Sequence, residues 1–344
     1  MKATIIDVAA KAGVSVATVS RVVNANYPVK EETRKKVLAA IDSLQYVPNL
    51  QARELNMKRS STIGVVVPSL YNMFFAEVID GIEEHLRQDA YSLLLCCAKN
   101  DSRQEAKCIM DLMGRNVCGI IVISPNTENM ETNFYDGIAQ KLPLVFVNSY
   151  VKIPHVSYAA NDEAQGTKEA LAFLWNLGHR KILLVRGINS DSYRIKEEAY
   201  VSFMQEKQAL CPELIINIGE GNNTSTVDRT AEILAEKIRE LKPTAILTSN
   251  DLMGVGAVHA CKREGKKIPE DISIIGYDNI SLSHMIDPKL TTVDQTMQKL
   301  GNAAASLLIE KLQSGQAKQV VLEPVLVERE TTTRVKKESN DFCE

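Results

Sequence analysis

From Ile63 onward the chain alternates short apolar runs with segments of helical periodicity, and this alternation limits its possible folds more than any other feature. The runs are IGVVVP (63–68), YSLLLC (91–96), GIIVI (119–123), PLVFVN (143–148), KILLV (181–185), LIINI (214–218), TAILTS (244–249) and DISIIGY (271–277). Amphipathic stretches lie between them, including 75–88, 104–115, 163–177, 227–241 and 252–264. A strand that is apolar along its whole length has both faces covered, and helical crossovers make the sheet parallel. The runs divide into two groups near residue 160, so the predicted body is a pair of α/β lobes.

The first sixty residues follow another pattern. Thr4 and Asp7 have the spacing of a capping box, in which a hydroxyl and a carboxylate satisfy the free N–H groups of a helix start. Ile5, Val8, Ala9 and Ala12 then recur at helical spacing, and Gly13 can take the positive φ of a tight turn. Ser15 is placed to cap a second helix whose Val19 and Val22 face inward. A third helix, near 31–44, offers Val37, Leu38, Ile41 and Leu44 to the same core. The spacing of Ala9, Gly13, Val19 and Val22 is that of a helix-turn-helix, whose second helix enters the DNA major groove. Its outward positions are Val16, Ala17, Thr18, Ser20 and Arg21.

Charge supports that reading. Up to residue 60 there are ten Lys and Arg against five Asp and Glu, giving +5, while the whole chain is −3. A basic head on an acidic body points to a polyanion as the partner of the head alone.

Other classes are disfavoured. There is no GxGxxG, Walker loop, HExxH or GxSxG, and the five histidines are scattered, so catalysis is not expected. The seven cysteines form no CxxC pair, so reduced thiols are expected, with no metal and no cofactor. No apolar stretch is long enough to span a bilayer, and the opening residues do not read as a signal peptide. A cytoplasmic protein, at the nucleoid when bound to DNA, is the expectation.

The segments TIIDVAAKAGVSVATVSRVVN and VKEETRKKVLAAIDSLQYVPN strongly resemble the DNA-binding head of the LacI/GalR regulators. The resemblance implies an α-helical head (1–47), a hinge helix and linker (48–60), and a periplasmic-binding-protein-like body (61–344). Lobe 1 would span about 61–160 and 290–320, and lobe 2 about 161–289 and 321–335. LTTVDQ (290–295) and the following helix would thus return to the first lobe.

It also implies roles. Val16 and Ala17 would meet base edges, where apolar side chains can touch a thymine methyl, and Arg21 could grip a guanine. Thr4, Ser15, Thr18, Ser20 and Asn24 suit phosphate contacts that set register. Asn49, Ala52, Arg53 and Leu55 belong to the hinge, with Leu55 the wedge that unstacks a central minor-groove step of a pseudo-palindromic double-stranded DNA operator. The chain would act as a homodimer with a small-molecule effector, a sugar or related metabolite, between its lobes.

The cleft implied for that effector is lined by Ser69, Phe75, Asn148, Asn161 or Asp162, Lys196, Asn250, Asp251 and Asp278. Phe75 could stack on a ring, and Asn and Asp suit hydroxyls. One departure stands out: Lys196 occupies the place of the family's effector-clamping arginine, and an ammonium cannot form the planar bidentate clamp. Alternatives remain open at this point: a degenerate cleft gated by a protein partner, a redox event at Cys96 and Cys97, or a sugar-binding transport component. A phosphoserine-bearing partner is disfavoured by Asp287 in the loop 284–288.

Overall fold

A computed structural model describes residues 3–24, 27–47, 60–149 and 151–335. The hinge residues Asn49, Ala52, Arg53 and Leu55 lie outside the described residues. The chain forms two compact units, Met1–Ser60 and Ser61–Glu344.

In the head, Thr4 caps helix α1 (Ile5–Ala12) through a reciprocal capping box. Its backbone N–H donates to Asp7 Oδ2 at 2.8 Å, and the Asp7 N–H donates to Thr4 Oγ1 at 3.4 Å. Gly13 ends the helix at φ 67, a left-handed conformation that costs glycine nothing. Helices α2 (Val16–Asn24) and α3 (Glu31–Leu44) complete the unit. Val8, Ala9, Val19, Val22, Val37 and Ala40 form its core, flanked by Ile41 and Leu44. Leu38, expected inside, is 49% exposed, and Ala40 takes the inward place. The reason is angular: two residues past Leu38, the chain has turned about 200° around the helix, so the two positions face opposite sides and Ala40 is the one turned to the core.

The body unit begins with β1 (Thr62–Val67), α4 (Met73–Gln88), β2 (Ser92–Cys97), α5 (Ser102–Gly114) and β3 (Gly119–Ile123). Two short helices, α6 (Thr127–Glu131) and α7 (Phe134–Ala139), precede β4 (Leu144–Val147) and β5 (Ser157–Asn161). Then come α8 (Glu163–Asn176), β6 (Ile182–Arg186), α9 (Asp191–Glu206), β7 (Ile215–Asn217), α10 (Thr226–Leu241), β8 (Ala245–Thr248) and α11 (Asp251–Arg263). The remainder is β9 (Ser273–Asp278), α12 (Leu282–Met285), β10 (Thr291–Asp294), α13 (Met297–Ser314), β11 (Gln319–Leu322) and β12 (Val325–Val327).

These strands build two six-stranded sheets, ordered β11-β5-β4-β3-β1-β2 and β12-β10-β9-β8-β6-β7. The first is parallel throughout, and the second is parallel except for its edge strand β12, which runs antiparallel to β10. The apolar runs of the central strands are covered on both faces, as their composition demands, while the edge strands β2 and β7 are only partly buried; Ile63, Val65, Val66 and Val67 of β1 are all fully buried.

The lobe boundary differs from expectation at one place. Strand β10 lies in the second sheet, with Thr291 opposite Ile275 and Asp294 opposite Asp278. Leu290 packs in the second lobe's core, and Thr292 donates to the buried Asp251 at 2.6 Å, so the strand cannot leave for the first lobe. The chain crosses back only after Asp294, and α13 then packs on the first-lobe core. It crosses again between β11 and β12, so three connections join the lobes. SYAAN (157–161) was not legible as a strand: its alanines and terminal polar residue lack the branched, apolar signature of its neighbours.

Helices α4 and α13 approach backbone to backbone. A Cβ on Gly81 would overlap the carbonyl oxygen of Gln298, and one on Gly301 would overlap that of Val78. The two glycines face each other's helix in reciprocal fashion, and no other residue type allows this separation.

Candidate functional site: the recognition helix and the interlobe cleft

On α2 the residues that face inward and outward separate cleanly. Val19 and Val22 are buried, whereas Val16, Ala17 and Arg21 are exposed. Val16, with 41% of its surface accessible, is a large apolar side chain kept at the helix start without a core to fill. Ser15 caps the helix: the Thr18 N–H donates to Ser15 Oγ at 3.2 Å, and the two hydroxyls lie 2.9 Å apart. Asn24 donates to Ser20 Oγ at 3.1 Å, one turn back. The Arg21 guanidinium lies 5.6 Å from the Tyr27 ring centroid, a loose cation–π contact that leaves its donors available. This helix therefore presents apolar atoms first, hydroxyls along its flank, and one planar cation. Those are the groups that meet thymine methyls, phosphates and guanine.

The second site lies between the lobes, where the carboxyl ends of both sheets face each other. A cleft is lined there by Phe75, Asn148, Lys196, Asn250 and Asp278 among others. Five of its lining residues, Asn100, Ser124, Asn148, Asn189 and Asp278, are non-glycines at positive φ. Backbone strain of this kind persists where the surrounding structure fixes a side chain's aim, and it gathers at binding sites.

Four expected residues fall elsewhere. Asp162 is exposed and caps α8, accepting from the Gln165 N–H at 2.9 Å. Asn161 is fully buried in the crossover and donates to Gln295 Oε1 at 3.1 Å. Asp251 is sealed in the second-lobe core, where it accepts from Thr292 and from the Ile280 N–H at 2.9 Å. Ser69 is engaged in a bridge between lobes, its hydroxyl donating to the Asn222 carbonyl at 2.5 Å. For the first three a local backbone or core need outcompetes the cavity, whereas Ser69 is spent on the bridge that spans it.

The residue that sequence reasoning missed is Glu163. It is the first residue of α8, where an acidic side chain reads as a complement to the helix dipole. In the structure it is 1% exposed and lines the cleft. Its Oε1 lies 3.2 Å from Lys196 Nζ and accepts from the Ser192 hydroxyl at 2.8 Å. Lys196 also donates to the Ser249 carbonyl at 3.0 Å and sits 3.8 Å from the centroid of the Tyr277 ring. The side chain that replaces the expected arginine thus turns back into its own lobe. Asn72, Tyr193, Asn222, Ser249 and Gln295, all in the lining, likewise gave no signal in sequence.

Two lining carboxyls are pushed up in pKa. Burial raises Asp278 from 3.8 to about 7, against the lowering influence of Lys196 and of Gln295, which donates to it at 2.6 Å. Burial also raises Glu105, although Asn129, Tyr135 and the Asn126 N–H all donate to it. Direct contacts tie the two lobes across the cleft: besides the Ser69 bridge, Asn72 Nδ2 donates to Asn222 Oδ1 at 2.9 Å.

A helix-turn-helix unit joined to a two-lobed body with a polar interlobe cleft defines an effector-responsive DNA-binding regulator. Residues 4–49 match the model of the bacterial regulatory proteins of the lacI family, and residues 171–332 match a periplasmic binding protein-like domain. The chain is 34% identical to catabolite control protein A of Priestia megaterium over 310 residues, which covers 90% of this chain and 92% of that protein. It is 34% identical to the HTH-type transcriptional repressor PurR of Photobacterium profundum, covering 96% of this chain and 98% of that protein. Among solved structures, a lac repressor dimer bound to operator and the anti-inducer ONPF matches with a TM-score of 0.82 at 28% identity, covering 97% of this chain and 100% of that one. A complex of the transcriptional regulator CelR with cellobiose matches with a TM-score of 0.71 at 25% identity, covering 96% and 99%. The chain belongs to the lacI family of bacterial regulatory proteins. It is a sequence-specific DNA-binding transcription regulator modulated by a small-molecule effector. No helix among the described residues is long and apolar enough to cross a membrane.

Proposed function

We propose that this chain is a cytoplasmic repressor, acting as a homodimer on a pseudo-palindromic operator, with its grip set by a small polar ligand in the interlobe cleft. The observation that carries the ligand part is the origin of the lining. Asn72, Phe75 and Asn148 come from the first lobe, and Glu163, Lys196, Asn250 and Asp278 from the second. A ligand bonded to both sets gains affinity only when the lobes hold one relative position, so binding shifts the population of that position. In a dimer this shift alters the spacing of the two hinges, and with it operator affinity. Val16, Ala17 and Arg21 read bases, Thr4, Ser15, Thr18, Ser20 and Asn24 set register on phosphates, and Asn49, Ala52, Arg53 and Leu55 engage the central minor groove.

The test is selection of DNA sites from a random pool by the purified protein, repeated with a panel of sugars, nucleosides and phosphorylated metabolites. An enriched palindrome whose recovery changes with one compound is the expected result. Enrichment indifferent to every compound would remove the effector from the cleft, and no enrichment would remove the DNA function.

A further inference from the structure

The charge inventory of the cleft goes further than its shape. Of the residues that line it, Asp101, Glu105, Glu163, Glu220 and Asp278 are acidic and Lys196 alone is basic. An ammonium has three N–H donors. Lys196 donates to the Ser249 carbonyl at 3.0 Å, pairs with Glu163 Oε1 at 3.2 Å and lies 3.8 Å from the centroid of the Tyr277 ring. With its side chain only 3% exposed, Lys196 is committed to these contacts within its own lobe. It works as an internal counter-charge.

The acceptors are not used up in the same way. Glu163 Oε2 is buried and has no hydrogen-bond partner among the described residues, and the same holds for the hydroxyl oxygen of Ser249, another residue of the lining. A buried carboxylate oxygen without a donor is costly, which makes the position favourable for any ligand that brings one. Asp278, 3% exposed, adds a second carboxyl on the same lobe. A phosphate or carboxylate placed here would meet these acids with no cation free to answer it. A hydroxyl would satisfy Glu163 Oε2 with an ordinary bond. An ammonium would satisfy it with a charge-assisted bond, roughly twice as strong.

We propose that the effector is a small polyhydroxylated amine, of the amino-sugar class, with its ammonium against Glu163 and Asp278, and that Glu163 is the residue that selects it. This rests on the reading of the cleft as the effector site. The amide groups of Asn72, Asn148, Asn222 and Asn250 supply the neutral donors and acceptors that the hydroxyls need.

The test uses the full-length protein and matched sets: D-glucosamine, D-glucose, D-glucose 6-phosphate and D-glucuronate, with the corresponding galactose and disaccharide sets. Affinity is measured by calorimetry, and operator binding is followed in parallel. In one set the amine is expected to bind about tenfold or more tighter than its hydroxyl counterpart, with no binding of the anionic members. Glu163→Gln should bring amine and hydroxyl to within about twofold of each other while hydroxyl affinity persists. Asp278→Asn, which leaves the Lys196–Glu163 pair intact, should narrow the preference independently, so the test survives if the Glu163 variant folds poorly. Equal affinity for amine and hydroxyl, or tighter binding of an anionic member, would overturn the proposal and leave the cleft as the effector site. No binding by any compound of any set would overturn both.

Discussion

Gln295 donates from Nε2 to Asp278 Oδ1 at 2.6 Å, which joins a cleft carboxyl to the connection where the chain leaves the second lobe for the first. The other end of the same amide is also engaged, since Asn148 and Asn161 both donate to Gln295 Oε1, at 3.3 and 3.1 Å. A single buried glutamine therefore links the end of β4, the first crossover and the end of β9. Protonation of Asp278 is felt at that junction. Its pKa is raised from 3.8 to about 7 mainly by burial, so the folded protein holds a proton that the unfolded chain releases. Stability must then fall as pH rises from about 4 to about 7, and level off above it, by at most about 4 kcal/mol. Asp251 and Glu105, also raised by burial, add to the same slope. Asp278→Asn should flatten it, leaving the variant more stable than the parent at pH 8. Urea unfolding at pH 5, 6, 7 and 8 checks this; an unchanged slope would mean that Asp278 does not carry the proton.

The Lys196–Glu163 pair makes a second prediction with the opposite logic. Both groups are nearly inaccessible, so removal of the cation leaves a buried carboxylate with the Ser192 hydroxyl as its one donor among the described residues. Lys196→Met should cost about 3–5 kcal/mol in unfolding free energy. Lys196→Met combined with Glu163→Gln should recover most of that loss, because no charge is then left unpaired. A double-mutant cycle by urea denaturation gives the coupling directly. If the two changes simply add, the pair is not the structural unit described.

What could be read from the sequence divides along physical lines. Helices and strands with strong periodicity were legible to within a few residues: the run 244–249 contains β8, and 163–177 contains α8. The capping box at Thr4 and the turn at Gly13 were legible because each is a short-range pattern with one physical cause. The cleft was legible where a side chain stands at the end of a strand, as at Asn148, Asn250 and Asp278, and at Phe75 and Lys196, which the family resemblance supplied. Glu163 was hidden because its position at a helix start has an ordinary explanation. Gln295 was hidden because its partners Asn148, Asn161 and Asp278 come from distant parts of the chain. The sheet to which β10 belongs was misjudged for a similar reason: Thr291–Asp294 is moderately polar and would suit either sheet until its register with Ile275–Asp278 is known.

The head offers a paired test of packing. Val37 is fully buried in the three-helix core, while its neighbour Leu38 is half exposed on the other side of α3. Val37→Ala should destabilise the head by about 1–3 kcal/mol, through lost transfer energy and the cavity left behind. Leu38→Ala should stay within about 0.5 kcal/mol, as expected for a surface change that creates no cavity. Hydrogen exchange of the head amides in the full chain resolves the two. Equal losses would place Leu38 in a core after all.

The DNA interface makes predictions that separate positioning from reading. Arg21 is the planar cation on the exposed face of α2, so Arg21→Ala should cost about 1–3 kcal/mol on the preferred operator and relax selectivity at one base pair. Loss of a phosphate contact behaves differently. Ser15→Ala or Asn24→Ala should weaken binding almost equally on all sequences, with little change in the selected site. If the head and hinge of each dimer together neutralise about 6–10 phosphates, affinity should fall by roughly 10³–10⁵ between 50 and 200 mM salt. Leu55→Ala addresses the hinge: it should abolish most of the operator bend and specific affinity while the salt slope persists, since the wedge carries no charge. Fluorescence-based bending and titrations at several salt concentrations measure both quantities on the same complex. A bend unchanged by Leu55→Ala would transfer the deformation to another residue, and a flat salt response would remove phosphate neutralisation as the source of affinity.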